Sequence, residues 1–130
     1  MNMWLEMGER LGDKAPKIFN VNWFRVDENG RFLWPGFGDN LRVLDWMLQR
    51  CEGAVDAVET PIGYTPRAED INLDGLEDFS RDTLRDILKV EPANWQKELR
   101  GIEEFYEKFG DRLPQELRAQ LDALRDRLEG

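Results

Sequence analysis

Between Ile18 and Val26 the chain alternates in character and is rich in β-branched and aromatic side chains, Ile18-Phe-Asn-Val-Asn-Trp-Phe-Arg-Val26. That is the pattern of a strand. A two-residue period puts Phe19, Val21 and Trp23 on one face, and Ile18, Asn20, Asn22 and Phe24 on the other. Asp27-Glu-Asn-Gly30 supplies a turn, Arg31-Phe-Leu-Trp34 a returning strand, and Pro35 its end. A two-residue loop at Asn29-Gly30 would set Asp27 opposite Phe32. Asp at the first and Gly at the fourth turn position instead suit a type I turn with a glycine bulge. The bulged register is the one expected. It pairs Val26 with Phe32 and Phe24 with Trp34 on one face, and a one-residue slip would send Phe24 and Phe32 to opposite faces.

Beyond this hairpin the period lengthens. Pro35-Gly-Phe-Gly38 reads as loop, and Asp39 is placed to cap a helix running to about Cys51. Val43, Leu44, Trp46, Met47 and Leu48 form its apolar stripe, and Gly53 ends it. Thr60-Pro-Ile-Gly-Tyr-Thr-Pro66 is expected to be an extended turn segment, because its two prolines forbid a continuous helix. Asp70-Ile-Asn-Leu-Asp-Gly75 reads as another turn. Ser80 caps a short helix to about Lys89. A longer helix follows Pro92 to about Phe109, with Trp95, Leu99, Ile102, Phe105, Tyr106 and Phe109 three or four apart. Pro114 opens the last helix, in which Leu117, Leu121, Leu124 and Leu128 share a side. The expected class is α/β, as an α+β fragment: an aromatic hairpin, a helix, then a largely helical second half.

Charge separates the halves. The 130 residues carry 18 basic and 27 acidic side chains, a net charge of −9. Residues 1–68 hold 8 basic against 10 acidic, and residues 69–130 hold 10 against 17. The negative excess therefore lies mainly in the helical half, and the two parts are read as 1–68 and 69–130 of one segment. A pI near 4.6 argues against a nucleic-acid partner, since phosphate neutralisation needs a basic face. No stretch approaches the roughly 18 apolar residues of a membrane span, and the acidic start is unlike a signal peptide. There is no His, which excludes Ser-His-Asp and Cys-His catalysis and imidazole-ligated metals within this polypeptide. Cys51, the single cysteine, can form no internal disulfide and fits a reducing compartment. A cytoplasmic location is expected.

The chemistry is found by elimination. No Gly-x-x-x-x-Gly-Lys-Ser/Thr loop is present. Gly36-Phe-Gly38 has two glycines of a dinucleotide fingerprint, but Leu41 stands where the third belongs, and the run follows a hairpin strand. Adjacent carboxylates such as Asp27/Glu28 or Glu103/Glu104 read as solvated charges rather than an acid–base pair. What remains is aromatic. Trp23, Phe24, Phe32, Trp34 and Phe37 fall within fifteen residues, interleaved with Asn20, Asn22 and Asn40. Two ring faces and a carboxamide are the parts that hold a flat heterocycle and read its edge. Gly36 and Gly38 let backbone approach such a ligand closely. With Asp39 as the helix cap, the Asn40 side chain would be left for the base. The competing reading makes the aromatics a buried hairpin face and the acidic helices a docking surface: an interaction module with no nucleotide function.

Lys17-Ile-Phe-Asn-Val-Asn-Trp-Phe-Arg25 followed by Gly30-Arg-Phe-Leu-Trp-Pro-Gly-Phe-Gly-Asp-Asn-Leu-Arg-Val-Leu44 closely resembles GTP-dependent phosphoenolpyruvate carboxykinase. Thr60-Pro-Ile-Gly-Tyr-Thr-Pro66, Asn72-Leu-Asp-Gly-Leu76 and Gly110-Asp-Arg-Leu-Pro114 continue the likeness. It covers essentially the whole chain, residues 1–130, and corresponds to about the C-terminal fifth of the family's polypeptide, within its nucleotide-binding domain.

The resemblance implies guanine recognition. Phe24 and Phe37 match the family's two rings that sandwich guanine, Phe32 the ring packed against the base, and Asn40 the reader of its edge. Gly36, Gly38 and Asp39 complete the matching loop. The family usually has Glu before that Asn and Ser after it, where this chain has Asp39 and Leu41. The base-reading positions are unaffected. By the same resemblance the full enzyme converts oxaloacetate and GTP into phosphoenolpyruvate, GDP and carbon dioxide, a lyase step of gluconeogenesis. The family's Gly-Lys-Thr loop, its ligands for Mn2+ (or Mg2+), its oxaloacetate-binding arginines and its lid lie upstream of the matched region. No catalytic residue and no metal ligand is therefore expected in this segment, which is expected to be inactive alone. Met1 falls inside the family's chain, so an excised segment or truncated reading frame is expected. Its implied partners are GTP or GDP, the upstream remainder of the enzyme and, through exposed apolar surface, a second copy of itself.

Overall fold

A computed structural model of the chain describes every residue from Met1 to Gly130. Its elements are α1 (Asn2–Leu11), α2 (Asn40–Cys51), β1 (Val58–Thr60), β2 (Gly63–Thr65), α3 (Arg81–Leu88), α4 (Pro92–Glu107) and α5 (Gln115–Glu129), joined by loops and short 3-10 turns. This is an α+β chain with one small antiparallel sheet. Contacts gather into two compact units, Lys17–Lys89 and Met1–Pro16 with Val90–Gly130. The compositional division at 68/69 is thus not a packing boundary. Ile71, Phe79 and Leu84 belong to the same core as Trp34 and Trp46, because those apolar side chains complete it whatever the charge of their neighbours.

In the unit Lys17–Lys89, the buried cluster is Trp34, Trp46, Ala68, Ile71, Phe79 and Leu84. Its rings meet edge to face, the arrangement their quadrupoles favour: Trp34 with Phe79 at 5.5 Å and Phe19 with Trp46 at 6.2 Å. Helix α2 turns Trp46 into this core, with Val43 and Met47 packed beside it. Leu44 and Leu48, expected in the same stripe, instead lie exposed with Leu41. Positions 43, 46 and 47 make one face, and 41, 44 and 48 make a second that nothing in the unit covers. The helix ends as expected at Gly53. A positive φ of 74° there lets Ala54 N donate to Gln49 O at 2.9 Å and Gly53 N to Arg50 O at 3.3 Å. These are the paired bonds of a Schellman ending.

The strand expected at 18–26 does not form. Asn22 Oδ1 accepts the Phe24 amide at 3.0 Å and bends the chain at Trp23–Phe24, so ladder pairing stops there. One antiparallel bridge survives, Val26 with Phe32. Phe19 and Trp23 still point inward while Ile18 and Phe24 point outward. The regular sheet lies instead at β1 and β2, paired Val58 with Thr65, Glu59 with Tyr64 and Thr60 with Gly63. That corrects the reading of residues 60–66 as turn alone. Pro61 occupies the connection and Pro66 follows β2, so neither proline interrupts the ladder. Thr60 Oγ1 closes the turn on Gly63 O at 2.6 Å.

Helix α3 starts where Ser80 Oγ accepts the Thr83 amide at 3.1 Å, and it buries Leu84. Arg81 donates to Ala68 O, and Arg25 to Ile87 O.

In the second unit, α4 and α5 pack together around Leu99, Leu113 and Leu128, with an Arg125–Glu103 ion pair between them. Helix α4 begins at Pro92 itself, where the missing N–H costs nothing, and stops at Glu107 rather than Phe109. Pro114 precedes α5 in an extended conformation instead of opening it. Helix α1 exposes Met3, Trp4, Met7 and Leu11. No helix is long and apolar enough to cross a membrane.

Candidate functional site

The turn at Asp27–Gly30 has the bulged form. Gly30 N donates to Asp27 O at 3.0 Å and Gly30 adopts φ 75°, a conformation that favours glycine. Asp27 Oδ1 also accepts the amides of Asn29 and Arg31, at 2.8 and 3.0 Å. Below it, Asp27 N to Arg31 O and Leu33 N to Arg25 O, both 2.9 Å, frame the Val26–Phe32 bridge. Phe24 and Phe32 then meet edge to face at 6.1 Å on the outer surface. Phe24 is 72% exposed, whereas Trp34, its expected partner, is buried against Trp23 and Phe79. The chain bends at Leu33–Trp34, so Trp34 turns inward while Phe32, two residues earlier, faces out beside Phe24.

After Pro35, Gly36 at φ 135° turns the chain into a 3-10 turn, Phe37–Asp39, with Asp39 N donating to Gly36 O at 3.1 Å. The Phe37 ring stands 91% exposed, in ring contact with neither Phe24 nor Phe32. Gly38 has open space at its Cα, where a Cβ would meet nothing within 4 Å. Asp39 occupies the cap position of α2 but makes no capping bond. Its helical backbone turns the carboxylate toward Arg42, whose Nε it holds at 3.1 Å. Arg42 in turn donates to Asn72 O and Asp74 O, at 2.9 and 2.8 Å, tying that loop to the first turn of α2.

Asn40, expected to keep its side chain free, does not. Its Oδ1 accepts the Trp34 indole N–H at 2.9 Å. The carboxamide is half-buried, and only its amino end remains without a partner in the chain. Phe24, Phe32, Phe37 and Asn40 are thus carried by one stretch, with two rings in contact and the third on the adjoining turn. Sequence reasoning counted Trp34 among the aromatics without a separate role and gave Arg42 none. A buried indole N–H ordinarily takes an acceptor, and that preference was the available signal for the first, although the Trp46 indole N–H in the same core has none.

Resolved shifts in acidity lie away from these residues. The Arg85 guanidinium, hydrogen-bonded to Glu69 at 2.7 Å, holds that carboxyl below the usual range. Arg85 and Arg125 are raised by their own carboxylate partners, Glu69 with Asp82 and Glu103 with Asp122. In the other unit a shallow cleft lies between α4 and α5, lined by Glu103, Tyr106, Arg118 and Leu121 among others. No group of three or more His, Cys, Asp or Glu side chains comes together to hold a metal ion. The residues present do not fit one. Exposed rings, flexible glycines and an oriented carboxamide can stack and read a planar ligand; they hold no nucleophile or proton relay.

The family model of the phosphoenolpyruvate carboxykinase C-terminal P-loop domain matches residues 1–127. The "Phosphoenolpyruvate carboxykinase [GTP]" of Corynebacterium jeikeium (strain K411) is 49% identical over 126 residues, 97% of this chain and 21% of that protein. The protein of the same name from Renibacterium salmoninarum is 50% identical over 127 residues, 96% of this chain and 21% of its own. That of Treponema pallidum (strain Nichols) is 47% identical over 129 residues, 98% and 21%. The chain therefore spans about a fifth of the length of the curated relatives it matches. Matched almost end to end, it belongs to the GTP-dependent phosphoenolpyruvate carboxykinase family and corresponds to part of its C-terminal domain.

Proposed function

We propose that this chain forms the guanine slot of a GTP-dependent phosphoenolpyruvate carboxykinase and is incomplete for catalysis by itself. Phe24 and Phe37 supply the stacking faces, Phe32 backs the base, Asn40 reads its edge, and Gly36, Gly38 and Asp39 shape the loop between. The observation that carries this reading is the exposure of three phenylalanines on the same stretch of chain as an asparagine whose amide is already oriented. Soluble chains rarely hold such rings in water without a ligand or partner for them.

The slot acts by placement. Clamping the base fixes where the phosphates of GTP reach the reacting groups, an orientation effect. Stacking strengthens little as the phosphoryl group transfers, so its loss raises KM for GTP more than it lowers kcat. The overall reaction in this reading is oxaloacetate plus GTP to phosphoenolpyruvate, GDP and carbon dioxide, in a gluconeogenic, cytoplasmic setting. Mn2+ or Mg2+ and the phosphate loop come from the upstream remainder. That remainder also covers apolar surface such as Leu41, Leu44 and Leu48; without it, a second copy of the chain does.

Titrating the chain with GDP while following side-chain amide and aromatic NMR signals tests the slot. Saturable shifts at Asn40, Phe24 and Phe37 are expected. Spectra unchanged at millimolar GDP overturn the reading.

A further inference from the structure

Asn40 is an ambiguous reader on its own. A carboxamide presents a donor at one end and an acceptor at the other, and a half-turn about its last bond exchanges them. Trp34 removes that freedom. Its indole nitrogen is a donor only, so the atom it meets at 2.9 Å must be the Asn40 oxygen. The indole cannot move to suit a rotated amide, because Trp34 is 7% exposed and wedged against Phe79 at 5.5 Å and Trp23 at 6.0 Å. Rotating Asn40 would bring two donors face to face and strand a buried N–H.

We infer that Trp34 is a positioning residue for base selection: its indole N–H locks the Asn40 carboxamide with the amino end free to donate to the 6-oxo group of a purine. A 6-amino purine offers a donor at that place and meets a second donor. Selection thus comes from a buried ring that need not touch the base. This rests on the guanine reading above and adds to it the group that sets the sense of the hydrogen bond.

Binding of GDP and ADP to the wild-type chain and to Trp34→Phe, with thermal midpoints recorded alongside, tests it. Phenylalanine keeps an aromatic ring and removes the donor. The preference for GDP over ADP is expected to fall roughly tenfold, the worth of one hydrogen bond, mostly through tighter ADP binding. A purely structural role would weaken both nucleotides together and leave their ratio unmoved. Wild-type preference retained in a folded Trp34→Phe overturns the inference and leaves the guanine slot standing; a wild-type chain that takes neither nucleotide overturns both. Asn40→Asp supplies the reverse test should Trp34→Phe fail to fold. One carboxylate oxygen keeps the indole N–H and the other faces the base as an acceptor, so preference is expected to turn toward ADP. Preference for GDP retained in Asn40→Asp, or no binding of either nucleotide, overturns the inference.

Discussion

Replacing Phe37 by alanine separates binding from folding, because the two draw on different surfaces of the ring. At 91% exposure the side chain buries almost nothing in the folded chain, and it shares no ring contact with its neighbours. Its removal should therefore change unfolding free energy by no more than about 0.5 kcal/mol, the usual range for a surface site. Stacking on a base is a different matter. One aromatic face is worth about 1–3 kcal/mol, which predicts a GDP dissociation constant raised by about fivefold to 150-fold. Urea denaturation of Phe37→Ala gives the first quantity, and calorimetric or NMR titration with GDP the second. An unfolding midpoint displaced as far as for a core substitution, or GDP affinity equal to wild type, would refute the assignment of Phe37 as a stacking face.

Leu84→Ala supplies the opposite case: the side chain is 2% exposed in the core of the unit Lys17–Lys89, so a loss of about 3 kcal/mol is expected by denaturation; a change under 1 kcal/mol would contradict the packing. Arg85→Met should return the Glu69 carboxyl toward its ordinary range, since the hydrogen bond from Arg85 is the main cause of its lowering. Because the folded-state pKa lies below the unfolded one, whatever stability the pair lends is present above the unfolded pKa and lost as pH falls through the folded one. A carbon-detected NMR titration reads this directly, and an unmoved Glu69 would dismiss the pairing. Self-association through Leu41, Leu44 and Leu48 predicts a sedimentation coefficient that rises with concentration and falls back in Leu48→Glu. A wild-type chain that stays monomeric throughout would exclude it.

Features encoded within a few residues were legible in the sequence. Ser80 and Thr83 stand three apart and cap a helix, Gly53 ends another, and Asp27 with Gly30 set the bulged turn. The strand at 18–26 was misread because aromatic and β-branched residues suit any half-buried extended chain, and Asn22 spends its side chain on a bend that alternation does not register. The sheet at 58–65 was hidden by prolines that prove to lie in its connection and just after its second strand. At the site, the family resemblance singled out the three phenylalanines and Asn40, but Asn40's state depends on Trp34 six residues away and on a core reaching to Leu84. Those contacts are products of packing and leave no periodicity to read.

Arg42 reaches thirty residues along the chain to grip two carbonyl oxygens of the 72–74 loop. Main-chain oxygens are common to every residue type, so Asp74 can change its side chain over evolutionary time without slipping that tether, whereas Asn72 Oδ1 holds the Asp74 amide at 2.8 Å and Leu73 packs on the core. The tether itself has no such latitude. A lysine ammonium is a single point and cannot reproduce the flat fork that spans Asn72, Asp74 and Asp39 together, so drift is permitted on one side of this joint and barred on the other.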